Sequence, residues 1–211
     1  MPRSVRGRTM RTETSIQEPR RMPAPIALPP RREDFVNRDL LEHWAARTPE
    51  RVFAVFEDGS EWTYARTLAE VRGTAAALQD LGVGQGEHVL VWLPNGEDFL
   101  RCWFAINYLG AVCVCVNTAY RGATLEHVLR NAGARLMVTL DALADRLADV
   151  DRGTLQQVVL ADGAERDLPG VACAGSSALR ATKEPAPLAR PIEPWDPHLI
   201  IYTSGTTGPA K

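Results

Sequence analysis

The spacing of apolar residues predicts one long helix in the first half of the chain. Between Tyr64 and Leu81, apolar side chains recur at steps of three and four residues, which is the period of an amphipathic helix. Thr63 is placed to cap the first turn, and Gly82 stands just past the last one. The pattern therefore predicts a helix with both of its ends defined by local sequence.

Two shorter elements are predicted before this helix. In the segment DLLEHWAARTPE, the side chains of Leu40, Leu41 and Trp44 share one helical face, and Pro49 ends the helix. The next segment, RVFAVFEDGSEWTY, has an apolar run, the turn pair Asp58-Gly59 and a short return strand. Such a pattern is typical of a β-hairpin.

After residue 82, predicted strands and helices alternate. The strands are HVLVWLP, AVCVCVN, RLMVTL, QQVVLAD and PHLIIYT, the last of which we expect to be buried. The helices are TLEHVLRNAG, DALADRLADV and GEDFLRCWFAINYLG, with Phe99, Trp103 and Ile106 facing inward. Residues 163–197 are expected to cross the surface, with one short helix around GSSALRA. This alternation predicts an α/β fold, a mostly parallel sheet flanked by helices.

Charge divides the 211-residue chain into two parts. Residues 1–34 hold eight arginines against four acidic residues, with many prolines and no hydrophobic period, and we interpret them as a disordered Arg/Pro-rich leader. The prolines argue against a secretory signal or a transit peptide, although a basic docking tail stays possible. Residues 35–211 carry a net charge of −6, which argues against nucleic acid as a partner.

The most apolar stretch of the chain does not predict a membrane span. FLRCWFAINYLGAVCVCV is interrupted by Arg101, Asn107 and Gly110, and it fits a helix that turns into a strand. We therefore expect a cytoplasmic protein with no membrane span, and the sequence predicts no oligomeric state.

The four cysteines have no metal-type spacing, and no metal ligands are predicted. Cys113 and Cys115 alternate along a predicted strand, so both should face the same side. We interpret Cys102, Cys113, Cys115 and Cys173 as small buried residues in a reducing cytosol, with a redox or metal role as the alternative.

Other chemically capable side chains are interpreted as structural, and no catalytic residue is predicted among them. The four histidines are scattered over separate elements: His43, His88, His127 and His198. One predicted helix carries a solvated charged face with Asp141, Asp145, Arg146, Asp149, Asp151 and Arg152. The aromatic residues of the next group should belong to the core: Trp92, Phe99, Trp103, Phe104 and Tyr108.

The last segment, LIIYTSGTTGPAK, combines a strand with a loop of unusual composition. Its hydroxyl groups belong to Thr203, Ser204, Thr206 and Thr207, its glycines are Gly205 and Gly208, and its charge is Lys211. Glycines let backbone N–H groups converge, and hydroxyls with one ammonium group suit a polyphosphate. The loop therefore predicts a phosphate-binding site.

Two other interpretations of this loop are weaker. The Walker pattern requires Gly directly before the lysine and Ser or Thr after it, but here Ala210 precedes Lys211 and Pro209 resists a helix. A polar turn without a ligand is the second alternative, and it explains poorly why ten such residues follow a buried strand.

The loop closely resembles the phosphate-binding signature of the adenylate-forming (AMP-binding, ANL) superfamily. The match runs from Thr203 to Gly208 and returns at Lys211, while Pro209 and Ala210 stand in the reverse of the commonest order. The resemblance extends over roughly residues 36–211, including WTYARTLAE and NYLGAVCVCVNTAYRGATLEHVL. The run NTAYRG is similar to that of crotonobetaine/carnitine-CoA ligase-like acyl-CoA synthetases.

The resemblance implies an enzyme that uses ATP with Mg²⁺ and, as co-substrate, coenzyme A. Family members activate a carboxylic acid as an acyl-adenylate, and many then form the acyl-CoA thioester. The loop would hold the β and γ phosphates through hydroxyl donors, two glycine amides and the ammonium group of the lysine. These residues are Thr203, Ser204, Gly205, Thr206, Thr207, Gly208 and Lys211.

The resemblance also implies that residues 35–211 form a truncated N-terminal subdomain of the fold. In relatives the acyl pocket and the C-terminal lid follow this loop, so we expect no adenylation from the 211-residue chain alone. Two alternatives stay open: the adenylation domain of a carrier-protein-dependent synthetase, and a non-catalytic truncated product. The reading frame beyond codon 211 distinguishes them.

Overall fold

The computed structural model describes residues 31–203. Its helices are α1 (Arg32–Phe35), α2 (Asn37–Arg47), α3 (Tyr64–Asp80), α4 (Glu97–Tyr108), α5 (Gly122–Ala132) and α6 (Asp141–Ala144). Its strands are β1 (Val52–Val55), β2 (Glu61–Thr63), β3 (His88–Trp92), β4 (Val112–Cys115), β5 (Leu136–Thr139), β6 (Gln157–Leu160), β7 (Ala172–Ala174) and β8 (Leu199–Ile201). Two 3₁₀ turns complete the set, Asp145–Leu147 and Ser176–Leu179.

Six strands form one sheet in the order β7-β6-β5-β3-β4-β8, and every neighbouring pair is parallel. β1 and β2 pair separately as an antiparallel hairpin. The α/β fold with a mostly parallel sheet is therefore confirmed, and so is the hairpin.

Alternate side chains of the strands serve two cores, because successive residues point to opposite faces. Val89, Val91 and Cys113 pack on the face that α3 and α4 cover. Leu90 and Val114 face the other way, into the cluster that includes the apolar side of α5. Both faces of the central strands are thus buried, which explains their continuous apolar runs.

The long helix begins and ends as its sequence predicts. The side chain of Thr63 accepts a hydrogen bond from the backbone N–H of Arg66 at 3.2 Å. Gly82 follows the helix with a φ of +86°, and the N–H of Val83 donates to the carbonyl of Leu78 at 2.9 Å. A left-handed residue at this position favours glycine, which explains the stop.

The segment 163–197 contains a strand that the sequence did not predict. β7 pairs in parallel with the free edge of β6, through the short run Ala172–Ala174. Two alanines and a cysteine have little intrinsic preference for a strand. The strand therefore forms because the free edge of β6 offers it backbone hydrogen bonds. The short helix expected around GSSALRA is present as the 3₁₀ turn Ser176–Leu179.

The last strand differs from the prediction of a buried element. β8 lies at the edge of the sheet, with β4 on one side, and the side chain of Ile201 is 61% exposed. The sequence overestimated its burial because three apolar residues look alike at an edge and in the centre of a sheet. The helix predicted over DALADRLADV is also shorter, since α6 changes to a 3₁₀ turn at Asp145.

Four aromatic side chains are less buried than predicted. Trp44 is 37% exposed, whereas Leu41 and Ala45 of the same helix are buried. Phe99, Trp103 and Phe104 are half-buried, because the small residues Cys102 and Ala105 form the part of α4 that meets the sheet. Ile106 faces inward as expected. α1 spans the boundary at residue 34, and the division of the chain there stays a prediction.

Candidate functional site

The carboxyl ends of the parallel strands meet at one edge of the sheet. β3 ends at Trp92, β4 at Cys115, β5 at Thr139 and β8 at Ile201. In open α/β sheets, ligands bind in the crevice beyond this edge. The segment that follows β8 therefore leaves the sheet where a ligand site is expected.

Thr203 is the one predicted site residue that the structure describes, and its side chain is exposed beyond the end of β8. The other six lie outside the described residues: Ser204, Gly205, Thr206, Thr207, Gly208 and Lys211. The structure thus fixes the starting point of the loop, at the carboxyl edge of the sheet.

Tyr202 anchors that starting point. Its side chain is 9% exposed, and its hydroxyl oxygen accepts a hydrogen bond from the Asn131 side-chain amide at 3.0 Å. The hydroxyl of Tyr120 lies 3.5 Å from the carbonyl oxygen of Tyr202, at the limit of a hydrogen bond. Both partners come from the segment after β4, so that segment fixes the exit of β8.

The loop between β4 and α5 is itself held by backbone-directed hydrogen bonds. The indole N–H of Trp92 donates to the carbonyl of Asn117 at 3.0 Å, and the Arg146 guanidinium donates to the carbonyl of Thr118 at 2.6 Å. The Asn117 side chain accepts from the N–H of Ala119 at 2.9 Å. These bonds join the ends of β3 and β4 to the turn after α6.

Arg146 is a supporting residue that the helical pattern did not reveal. That pattern placed it on a solvated face, but it is half-buried and its guanidinium lies 5.6 Å from the centroid of the Trp92 ring. Its carbonyl partners are 26 and 28 positions away in sequence, so no local signal could reveal them. Asp141 and Asp145 of the same face pair with Arg166, at 2.5 and 2.8 Å.

The chemistry of this edge suits an anion. The hydrogen bonds around the exit of β8 join hydroxyl, indole and guanidinium groups to carbonyl oxygens, and one amide to a hydroxyl oxygen. No carboxylate takes part in these four bonds. Within residues 31–203, no group of three or more His, Cys, Asp or Glu could hold a metal ion.

The histidines are structural or exposed, as predicted. The Nδ1 atom of His88 lies 2.6 Å from the carbonyl oxygen of Ala132. The backbone carbonyl of His198 accepts from Asn107 and Cys113, while its ring is exposed. His43 and His127 are exposed on separate helices.

A cavity of about 310 Å³ lies at the opposite, amino edge of the sheet. Its lining includes Gly82, Gly86 and Gly133, and the ion pair between Glu87 and Arg135 at 2.5 Å. It is separated from Thr203 by the length of the strands, so the cavity is not part of the candidate site. No helix in the described part of the chain is long and apolar enough to cross a bilayer.

Comparison with known proteins identifies the family of this chain. The sequence model of the AMP-binding enzyme family matches residues 41–211. That span covers the whole sheet and continues through the loop after β8. The chain therefore belongs to the AMP-binding enzymes.

Three curated relatives illustrate the range of this family. A 4-coumarate–CoA ligase of Pinus taeda is 30% identical over 74% of this chain and 29% of its own length. A salicyl-AMP ligase / salicyl-S-ArCP synthetase of Mycobacterium tuberculosis is 33% identical over 82% of this chain and 31% of its own length. A crotonobetaine/carnitine–CoA ligase of Shigella flexneri is 29% identical over 72% of this chain and 30% of its own length. The relatives are acid–CoA ligases and adenylating enzymes.

A solved structure confirms the fold. The anthranilate CoA ligase AuaEII in complex with anthranoyl-AMP has a TM-score of 0.67 and 24% identity, over 83% of this chain and 33% of that one. The fold is that of the N-terminal subdomain of adenylate-forming enzymes, a match also seen with the Klebsiella oxytoca NpsA N-terminal subdomain. The chain spans between about a fifth and a third of the length of the curated relatives that it matches.

Proposed function

We propose that this protein works in an ATP-dependent, AMP-forming acid–CoA ligase reaction. A carboxylic acid attacks the α-phosphate of ATP to give an acyl-adenylate and pyrophosphate, and the acyl group then passes to coenzyme A. The observation that carries the proposal is the loop from Thr203 to Lys211, which follows β8 at the carboxyl edge within the family match.

The proposed role of the loop is to hold the β and γ phosphates of ATP. Thr203, Ser204, Thr206 and Thr207 would donate hydroxyl hydrogen bonds, Gly205 and Gly208 backbone N–H groups, and Lys211 a positive charge. Negative charge grows on the leaving pyrophosphate, and donors fixed in advance stabilise it without reorganisation. Mg²⁺ would bind with the nucleotide.

The described residues support this role through the anchor of the loop. Tyr202 is buried and bonded to Asn131, so Thr203 starts from a fixed point. Arg146 is directed to carbonyl oxygens of the neighbouring loop. Its charge stays available to raise the local potential for an anion, because neither of these hydrogen bonds joins it to a carboxylate.

A second candidate is adenylation for transfer to a carrier protein. The salicyl-AMP ligase / salicyl-S-ArCP synthetase supports this candidate, because its 33% identity to this chain is similar to the 30% identity of the 4-coumarate–CoA ligase. The finer assignment to a crotonobetaine/carnitine-CoA ligase-like subgroup rests on the NTAYRG run, residues 117–122, and is proposed with the first candidate. A cytoplasmic location is part of the same proposal.

Exchange of labelled pyrophosphate into ATP, over a panel of carboxylic acids, tests the proposal. It is measured for the 211-residue polypeptide and, where the reading frame continues past codon 211, for its complete product. We expect acid-dependent exchange from the complete product and none from the 211 residues. A complete product that gives no exchange with any acid contradicts the proposal.

The two lysines of the chain offer a matched control. Lys211→Met should lower the exchange rate of the complete product by at least about tenfold, since it removes one charge at the leaving phosphates. Lys183→Met removes the other lysine, which pairs with Asp80 on the surface at 2.6 Å, and should leave exchange unchanged. Addition of coenzyme A or a carrier protein to the acyl-adenylate then separates the two candidates.

A further inference from the structure

Two thiols lie side by side on β4, within the sheet. The sulfur atoms of Cys113 and Cys115 are 3.8 Å apart, and both side chains point to the face that α4 covers. Cys113 is fully buried, whereas Cys115 at the carboxyl end of the strand is only partly buried. An oxidant from solvent therefore meets Cys115 first.

The thiol of Cys113 activates the less buried thiol of Cys115. The hydrogen bond that the Cys113 thiol donates lowers the pKa of Cys115, while the same bond and burial raise the pKa of Cys113. Burial raises the pKa of nearby Cys102 to about 12, which keeps that thiol protonated. Thiolate character and exposure determine how fast a cysteine is oxidised, and both favour Cys115.

We propose that Cys115 and Cys113 form a peroxide-sensitive dithiol whose oxidation weakens the pairing of β4 with β8. A hydroperoxide ROOH transfers its terminal oxygen to the sulfur of the Cys115 thiolate, and its O–O bond breaks. With one proton taken up, the products are the sulfenic acid of Cys115 and the alcohol ROH. The Cys113 sulfur then attacks the Cys115 sulfur, forms the S–S bond and releases water. The hydroperoxide is the only oxidant that the sequence of steps requires.

The disulfide would distort the strand because of its spacing. Residues two apart in an extended strand have Cα atoms about 6.6 Å apart, close to the upper limit of about 6.8 Å for a disulfide. Closing the bond pulls the backbone at Val114 out of the pleat, and Val114 pairs with Leu90 on one side and with Ile200 on the other.

The pairing with β8 is the weaker of the two and should yield first. Within residues 31–203, β8 has three residues and pairs with β4 alone, whereas β3 lies between β4 and β5. The N–H of Cys113 donates to the carbonyl of His198 at 3.1 Å, directly at the start of β8. Oxidation would therefore loosen the strand that carries Thr203.

The test treats the purified 211-residue chain with hydrogen peroxide and maps the cysteines by peptide mass spectrometry. Cys173, partly buried on β7 at the other sheet edge, is the internal control. We expect Cys115 to react several-fold faster than Cys173 and to end in a disulfide with Cys113. Equal rates, or an end product without that bond, overturn the proposal.

Two substitutions of Cys113 separate its roles. Cys113→Ser keeps a hydrogen-bond donor but cannot form the disulfide, so Cys115 should be oxidised at nearly the parental rate and stop at a sulfenic acid that dimedone traps. Cys113→Ala removes the donor and should slow the oxidation several-fold. Equal rates for the two variants contradict the activating role. The mapping in the unaltered chain needs neither variant to fold.

Hydrogen exchange measures the structural consequence. After oxidation, amide protection should fall several-fold in peptides covering β4 and β8, and stay unchanged in β5 and β6. Reduction with dithiothreitol should restore it. A disulfide that forms with no change in the protection of β8 overturns the proposed coupling.

Discussion

The two ends of the six-stranded sheet use polar groups in opposite ways. At the amino end, the hydroxyl of Tyr108 donates to Glu42 and accepts from Arg72 at 2.9 Å, so charges of both signs meet between α2, α3 and α4. At the carboxyl end, Trp92 and Arg146 donate to backbone carbonyl oxygens of one loop. The network around Tyr108 neutralises its own charges, whereas Trp92 and Arg146 use their donors to fix a loop.

The difference shows why the cavity does not mark the candidate site. The amino end has a hollow of about 310 Å³, but its charged side chains Glu87 and Arg135 are already paired with each other. The carboxyl end offers a loop held by hydrogen bonds, the exposed residue Thr203 and the guanidinium of Arg146, which donates to carbonyl oxygens. The composition of the terminal segment and the position of Thr203 at the carboxyl edge, rather than the volume of a cavity, therefore locate the candidate site.

The largest expected effect comes from Trp92, the buried centre of the carboxyl end. Trp92→Ala removes a fully buried ring and the donor that holds Asn117, and it should lower the free energy of unfolding by about 3–5 kcal/mol. The matched change at the amino end is Leu136→Ala, which should cost about 2 kcal/mol because part of this side chain borders the cavity. Urea unfolding followed by circular dichroism measures both.

A larger loss for Leu136→Ala than for Trp92→Ala would break the comparison. It would mean that the amino end is the tightly packed one, and that the hydrogen bonds to the loop after β4 contribute little to its stability.

The next effect concerns the charged network of the amino end. Tyr108→Phe leaves Glu42 and Arg72 without their shared hydroxyl and should cost about 1–3 kcal/mol at neutral pH. Burial, together with the hydrogen bond to Glu42, raises the pKa of Tyr108. The folded state therefore favours the protonated hydroxyl, and this contribution is complete below the unfolded pKa of about 10 and lost as the pH rises through the folded pKa.

Unfolding free energies measured on both sides of pH 10 check this sign. The parent chain should lose more stability than Tyr108→Phe as the pH rises past about 10. An alkaline loss of equal size in both proteins would show that Tyr108 does not titrate with a raised pKa. The polar network of the amino end would then be independent of pH.

Much of the fold was predictable because its signals are local. The ends of α3 follow from Thr63 and Gly82, and the central strands follow from their continuous apolar runs. β7 could not be predicted, since it depends on which strand has a free edge. Pairing partners far along the chain leave no mark in a run of three residues.

The sequence predicts the chemistry of the candidate site, which stays a prediction, but it did not reveal the residues that hold the start of the loop. The composition of the loop is enough to indicate phosphate, and Thr203 lies where parallel strands place their ligands. Arg146 looked like a surface charge, because α5 separates it in the sequence from the residues whose carbonyl groups it contacts. Tyr202 looked like the last residue of a strand, although its hydroxyl binds Asn131 of α5.

The smallest expected effect tests whether that anchor at the carboxyl end is a hydrogen bond or packing alone. Tyr202→Phe keeps the buried ring and removes the hydroxyl that accepts from Asn131 at 3.0 Å. Tyr202→Phe and Asn131→Ala should each cost about 0.5–1 kcal/mol, because the bond lies near the surface and water competes for both groups. In a double-mutant cycle by urea unfolding, the second substitution should add little to the first. Fully additive losses would mean that only the ring fixes the exit of β8, and that the contrast between the two ends of the sheet is one of shape.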